Sequence, residues 1–79
     1  MASVLVVDGR AENRQLLATL LTEGGYRVVA AADLPEAVTR LRVTPIDLVL
    51  ANVQLEGDDN GLKLLRMIKS ELSHMPVVL

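Results

Sequence analysis

No cysteine, tryptophan or phenylalanine occurs among the 79 residues, and Tyr26 is the one aromatic ring. The lack of cysteine rules out disulfides and thiolate metal sites, so no redox compartment follows from the sequence. Without large aromatics the core has to be built from Leu, Val, Ile and Ala with a few Met, and a hydrophobic content of 51% is enough to exclude disorder. Basic charge is scarce too: eight Lys and Arg against ten Asp and Glu give a net charge of −2. That leaves no basic footprint for nucleic acid. No apolar run approaches the ~20 residues of a membrane span, and Met1-Ala2-Ser3 before the first apolar run is too short and uncharged for a signal peptide. These absences lead to the expectation of a soluble, cytoplasmic protein of one domain, burying about 60–65% of its unfolded surface.

What is present is a set of short apolar runs that end on polar side chains. Ile46-Asp47-Leu48-Val49-Leu50-Ala51-Asn52 has the form of a strand buried on both faces and closes on Asn52. Val4-Leu5-Val6-Val7 is a second such run, closing on Asp8 and Gly9. Between them, Leu16, Leu17, Leu20, Leu21 and Gly24 fall at helical spacing and predict an amphipathic helix stopped by Gly24-Gly25. Tyr26 to Ala31 predicts a further strand. Asp33-Leu34-Pro35-Glu36 reads as a helix start, with an Asp cap, a Pro in the first turn and a Glu three residues after the cap. Ala37, Val38 and Leu41 give that helix a buried stripe, and Pro45 closes it. After a loop from Gln54 to Gly61, Leu62, Leu64, Leu65, Ile68 and Leu72 predict a third helix, and Pro76-Val77-Val78-Leu79 begins a fourth strand.

Short strands alternating with amphipathic helices predict a parallel α/β sheet with right-handed crossovers. The carboxyl ends of the first and third strands then meet at the switch point, where an open α/β sheet places its site. Asp8 and Asn52 fall together in that pocket.

In this order and spacing the motifs resemble the receiver domain of two-component response regulators, the CheY-like family with a flavodoxin-like fold. Val4-Leu5-Val6-Val7-Asp8 resembles its first strand and leading acid, and Glu12-Asn13-Arg14-Gln15-Leu16-Leu17 the start of its first helix. Ile46 to Leu55 resembles the strand that carries the phosphoacceptor, Gly61-Leu62-Lys63-Leu64-Leu65 the opening of the third helix, and Met75-Pro76-Val77-Val78-Leu79 the fourth strand. The resemblance implies strand order 2-1-3-4, with a further helix, fifth strand and fifth helix absent from these 79 residues. It also implies phosphoryl transfer from a histidine kinase to an aspartate, with Mg²⁺ bridging two acids of the first strand and the acceptor carboxylate.

The site residues depart from that pattern. Asp8 matches the first acid, but Gly9 stands at the second, which the resemblance makes a direct metal ligand. Asn52 stands at the acceptor position, and an amide is a poor nucleophile that forms no acyl phosphate. Gln54 falls where a backbone carbonyl completes the metal shell, which any residue can supply. The family's switch hydroxyl and lysine lie past Leu79. The expectation is a partial, degenerate receiver spanning residues 1–79, a pseudo-receiver with no catalytic or metal-ligating residue and weak or absent Mg²⁺ binding. It would act as a regulatory interaction module toward a histidine kinase or output domain, without nucleic-acid or membrane contact. Exposure of Val77-Val78-Leu79 as an open edge also suggests self-association.

Other readings of the same residues stand beside this one. Asp8 also suits a plain helix cap, Gly9 a turn, and Asn52 a turn-former without chemistry. The domain, if functional as an acceptor in a longer natural form, has Asn52 as a variant of that site. Glu56, Asp58 and Asn60 suggest a calcium loop, but its twelfth position is Met67 rather than a bidentate Glu. His74 suits an exposed helix end better than a phosphorelay histidine, and Lys63, Arg66 and Lys69 suit a solvated helix face. A nucleotide-binding reading lacks a glycine-rich phosphate loop.

Overall fold

Ser3 to Val7 form strand β1, buried along its whole length, because neighbouring strands pair with both of its edges and apolar side chains leave it on both faces. The structure is a computed structural model and describes residues 1–52, 66, 68–70 and 75–78. After β1 come α1 (Ala11–Glu23), β2 (Arg27–Ala31), α2 (Leu34–Val43), β3 (Leu48–Ala51) and β4 (Val77–Val78). The strands are parallel, in the order β2-β1-β3-β4, as the alternating pattern predicts. The expected third helix is described only at Arg66 and at Ile68 to Ser70, which are helical, with Ile68 fully buried.

From β1 the chain steps one way to β2, then back past β1 to β3. With right-handed crossovers, the two linking helices therefore cover opposite faces of the sheet. On the α2 face, Leu5, Val7, Ala31, Val49 and Ala51 form one buried cluster with Ala37, Ile68 and Met75. Val4 and Val6 point the other way, by the two-residue alternation of a strand, and are also buried.

Local signals set the helix ends. Asp33 caps α2 through its side chain, which accepts the N–H of Glu36 at 2.9 Å, and Glu36 accepts the N–H of Ala32 at 3.0 Å. Pro35 lies in the first turn, and the helix ends at Val43, before Pro45. At the end of α1, Gly24 returns its N–H to Leu20, and Gly25 takes a φ of 93°, a left-handed conformation that favours glycine.

Two expectations need correction. None of the residues of α1 is fully buried, and Leu16 and Leu20, two of the four leucines of its predicted apolar stripe, are exposed. The helix rests on the sheet through Leu17, Ala18 and Leu21, all half-buried. Nor is β3 buried on both faces: Val49 and Ala51 are, whereas Leu48 and Leu50 on the α1 face are half-buried. Both differences have one cause, since α1 packs on β1 and β2 and leaves the β3 half of its face less covered.

The β1–β3 register, Val4 beside Leu48 through Val7 beside Ala51, is fixed at its far end by Asp47. Its N–H donates to the Ser3 carbonyl at 2.8 Å, and its carboxylate accepts the Ser3 N–H at 2.7 Å. Asp47→Ala deletes one of these two bonds at an otherwise intact strand start. The expected loss is about 1 kcal/mol, read as a lower urea midpoint with an unchanged slope.

Candidate functional site

The last paired rung of the sheet brings Ala31, Val7 and Ala51 into line, so the residues that follow β1 and β3 leave the sheet side by side. Backbone bonds carry the ladder one residue further. The Asp8 N–H donates to the Ala31 carbonyl at 3.0 Å and the Asn52 N–H to the Val7 carbonyl at 2.8 Å. Asp8 and Asn52 are thereby brought together, as the sequence predicts.

Asp8 is only 4% exposed, which for a carboxylate demands partners. One oxygen, Oδ1, accepts the backbone N–H of Arg10 at 2.9 Å. The other, Oδ2, accepts the side-chain amide Nδ2 of half-buried Asn52 at 3.3 Å, at the long end for such a bond. Arg14 Nη1 donates to the Asp8 carbonyl at 2.7 Å, so a guanidinium lies against the same residue. Among the described residues no buried side-chain nitrogen or oxygen lacks a partner.

Asp8 does not cap the helix that follows it. The cap position is Arg10, without a side-chain capping bond, and the Asp8 carboxylate instead folds the turn by taking the Arg10 N–H. Gly9 forms a bend outside the left-handed region, since Gly25 is the one described residue with positive φ. Gly9 is therefore not required by the backbone, and what the position lacks is a side chain. Gln54 lies outside the described residues, as do Glu56, Asp58, Asn60, Lys63 and His74.

Among the described residues the pocket holds few groups for a hard divalent cation. Such an ion takes several oxygen ligands, carboxylates foremost, and the described pocket offers one carboxylate. Gly9 brings no side-chain oxygen, and Asn52 turns an N–H, not an oxygen, toward Asp8. Among the described residues no group of three or more His, Cys, Asp or Glu is placed to hold a metal.

Arg14 was not singled out as a site residue on sequence. Its signal was there: a charged residue six positions after Asp8, in phase with Leu17, Ala18 and Leu21 on the sheet-facing side of α1, is out of pattern for an amphipathic helix. Asp47 was read only as the opening of a strand, and its role as a clamp on Ser3 carries no sequence signal.

Known proteins share this fold. Residues 4–79 match the family described as "Response regulator receiver domain". A curated relative, the "Putative response regulator NtrX-like" of Rickettsia bellii, is 30% identical over 80 residues, covering 100% of this chain and 17% of the relative. The chain thus spans about a sixth of the length of that relative. The response regulator protein TrrA of Thermotoga maritima, solved in complex with Mg(2+)-BeF, superposes with a TM-score of 0.94 at 28% identity, covering 100% of this chain and 68% of that one. In a complex with the histidine kinase ThkA, TrrA superposes with a TM-score of 0.89 at 28% identity, covering 98% of this chain and 66% of that one. With the family match over residues 4–79 and the fold in agreement, the chain belongs to the response regulator receiver family.

Proposed function

We propose that these residues form a regulatory receiver module of a two-component signalling protein that takes no phosphoryl group at position 52 and acts through protein contact. The observation that carries the reading is the side-chain amide of Asn52 donating to the Asp8 carboxylate. An acceptor needs an anionic oxygen at this place and an amide supplies none. With an aspartate at position 52, two carboxylates ~4 Å apart would repel by about 4 kcal/mol at an effective dielectric of 20. A cation relieves that repulsion in a metal-binding site; here the amide removes its cause. Magnesium binding is accordingly weak or absent, with Asp8 and Gly9 as a residual pocket rather than a metal site.

The partner is a histidine kinase or an output domain. Support comes from the family and from TrrA, which has been solved bound to the kinase ThkA. The β4 edge adds a second contact surface. Among the described residues β4 pairs with β3 on one side only, and an edge of that kind can take a further strand.

A second reading, an acceptor domain in which Asn52 is a variant of the phosphorylated position, is favoured by the retained Asp8 and its geometry. Incubation with acetyl phosphate and Mg²⁺ tests the first reading: intact mass is expected to stay unchanged, and a hydroxylamine-labile gain of about 80 Da would overturn it. The single variant Asn52→Asp separates the two. The pseudo-receiver reading expects no transfer while Gly9 is present; the acceptor reading expects the labile mass gain to return.

Stability gives an independent measurement. In metal-free buffer at neutral pH, Asn52→Asp is expected to lower unfolding stability by more than about 1 kcal/mol, because it swaps a hydrogen bond for a facing charge. The double variant with Gly9→Asp should lose more, and it alone should recover in millimolar Mg²⁺. Wild-type stability should not respond to Mg²⁺, which differential scanning calorimetry can check.

A further inference from the structure

β2 stands at the edge of the sheet opposite β4, and among the described residues β1 alone pairs with it. β1 and β3 lie between the two edges, so the β2 edge does not depend on what pairs with β4. The Arg27 N–H donates to the Ala2 carbonyl at 2.9 Å and the Ala31 carbonyl accepts the Asp8 N–H at 3.0 Å, so both residues turn their backbone groups toward β1. Backbone groups alternate between the two sides of a paired strand. Val28 and Ala30 therefore turn their N–H and C=O groups outward, away from β1. Helices α1 and α2 pack on β1 as well as on β2 and so lie over the sheet, inside this edge.

The edge carries few of the features that keep sheet edges apart. From Tyr26 to Ala32 there is neither Pro nor Lys, no bulge interrupts the register with β1, and the one charge is Arg27. Charge indicates what the edge takes. Val29 packs against the cluster on the α2 face, and by strand alternation exposed Arg27 shares that face. The other end of the same edge is acidic, since Asp33 caps α2 and exposed Glu36 stands in its first turn. An edge that begins basic and ends acidic is complementary to its own reverse. A parallel copy would set Arg27 against Arg27 and acid against acid, and like charges so placed repel.

We propose that β2 pairs antiparallel with β2 of a second copy about a twofold axis at Val29, joining the two sheets into one. Val28 of each copy then faces Ala30 of the other, and the outward groups of both strands are used in two reciprocal pairs of hydrogen bonds. Arg27 lies diagonally across from Asp33 of the second copy, a separation of about 7–8 Å that a side chain as long as arginine reaches. With so short a strand the interface is small and the pairing is of the weak, transient class.

Amide hydrogen exchange followed by NMR over a concentration series, with light scattering on the same samples, tests this pairing. The Val28 and Ala30 N–H groups are expected to exchange about threefold more slowly at ~1 mM than at ~20 μM chain, as a dimer with a dissociation constant of about 0.2 mM requires. Arg27→Glu should weaken dimerisation about tenfold, the effect of turning two exposed ion pairs into two repulsions, and its side chain is already exposed, so the fold is kept. Ala30→Pro removes an outward N–H without touching the ladder to β1 and should abolish the dimer, with circular dichroism confirming the fold. A monomer at ~1 mM with unchanged exchange at Val28 and Ala30 overturns the proposal. So does a dimer whose affinity ignores Arg27→Glu, or one that slows exchange at Val78 instead and thereby assigns the association to β4.

Discussion

The double pairing of β1 is the constraint on which the rest of this structure depends. A strand flanked on both edges and covered on both faces has little polar surface to spare, so Val4 to Val7 are Val and Leu throughout, and the next polar side chain falls where the pairing stops. That side chain is Asp8. Because β3 pairs in parallel with the same strand, its own first polar residue past the pairing, Asn52, emerges at the same level. The site is thus a by-product of sheet register, and the Asp47 clamp on Ser3 holds that register from the opposite end.

Burial then decides what the site must contain. A carboxylate as enclosed as that of Asp8 needs hydrogen-bond donors or a cation. The turn supplies one donor, the Arg10 N–H, and Asn52 supplies another. A side-chain amide and a metal ion satisfy a carboxylate by different means. The amide does so without summoning further anionic ligands, whereas a divalent ion needs several oxygens to replace its hydration shell. The side chain at position 52 therefore helps set the electrostatic character of the pocket.

Much of this was legible in the residues. The strands could be read because buried parallel strands are continuous apolar runs, and the start of α2 because Asp33, Pro35 and Glu36 each have a capping reason to stand where they do. Asp8 and Asn52 could be placed together because strand order follows from alternation and handedness. Burial on the α1 face could not be read. Periodicity shows that Leu16 and Leu20 share a stripe with apolar neighbours, but not whether anything packs against it, and the half-covered state of Leu48 and Leu50 depends on where α1 comes to rest. The role of Asp47 is illegible for a related reason: it acts on a backbone group of a distant segment, which has no sequence signature, whereas Arg14 is marked only by its charge on the sheet-facing side of α1.

Gly9 has one more consequence. Its bend needs no left-handed backbone, so the chain between β1 and α1 is shaped by the carboxylate of Asp8 rather than by the glycine. The backbone of this turn therefore sets no demand for glycine at position 9, and the character of the pocket there rests on side chains rather than on the path of the chain.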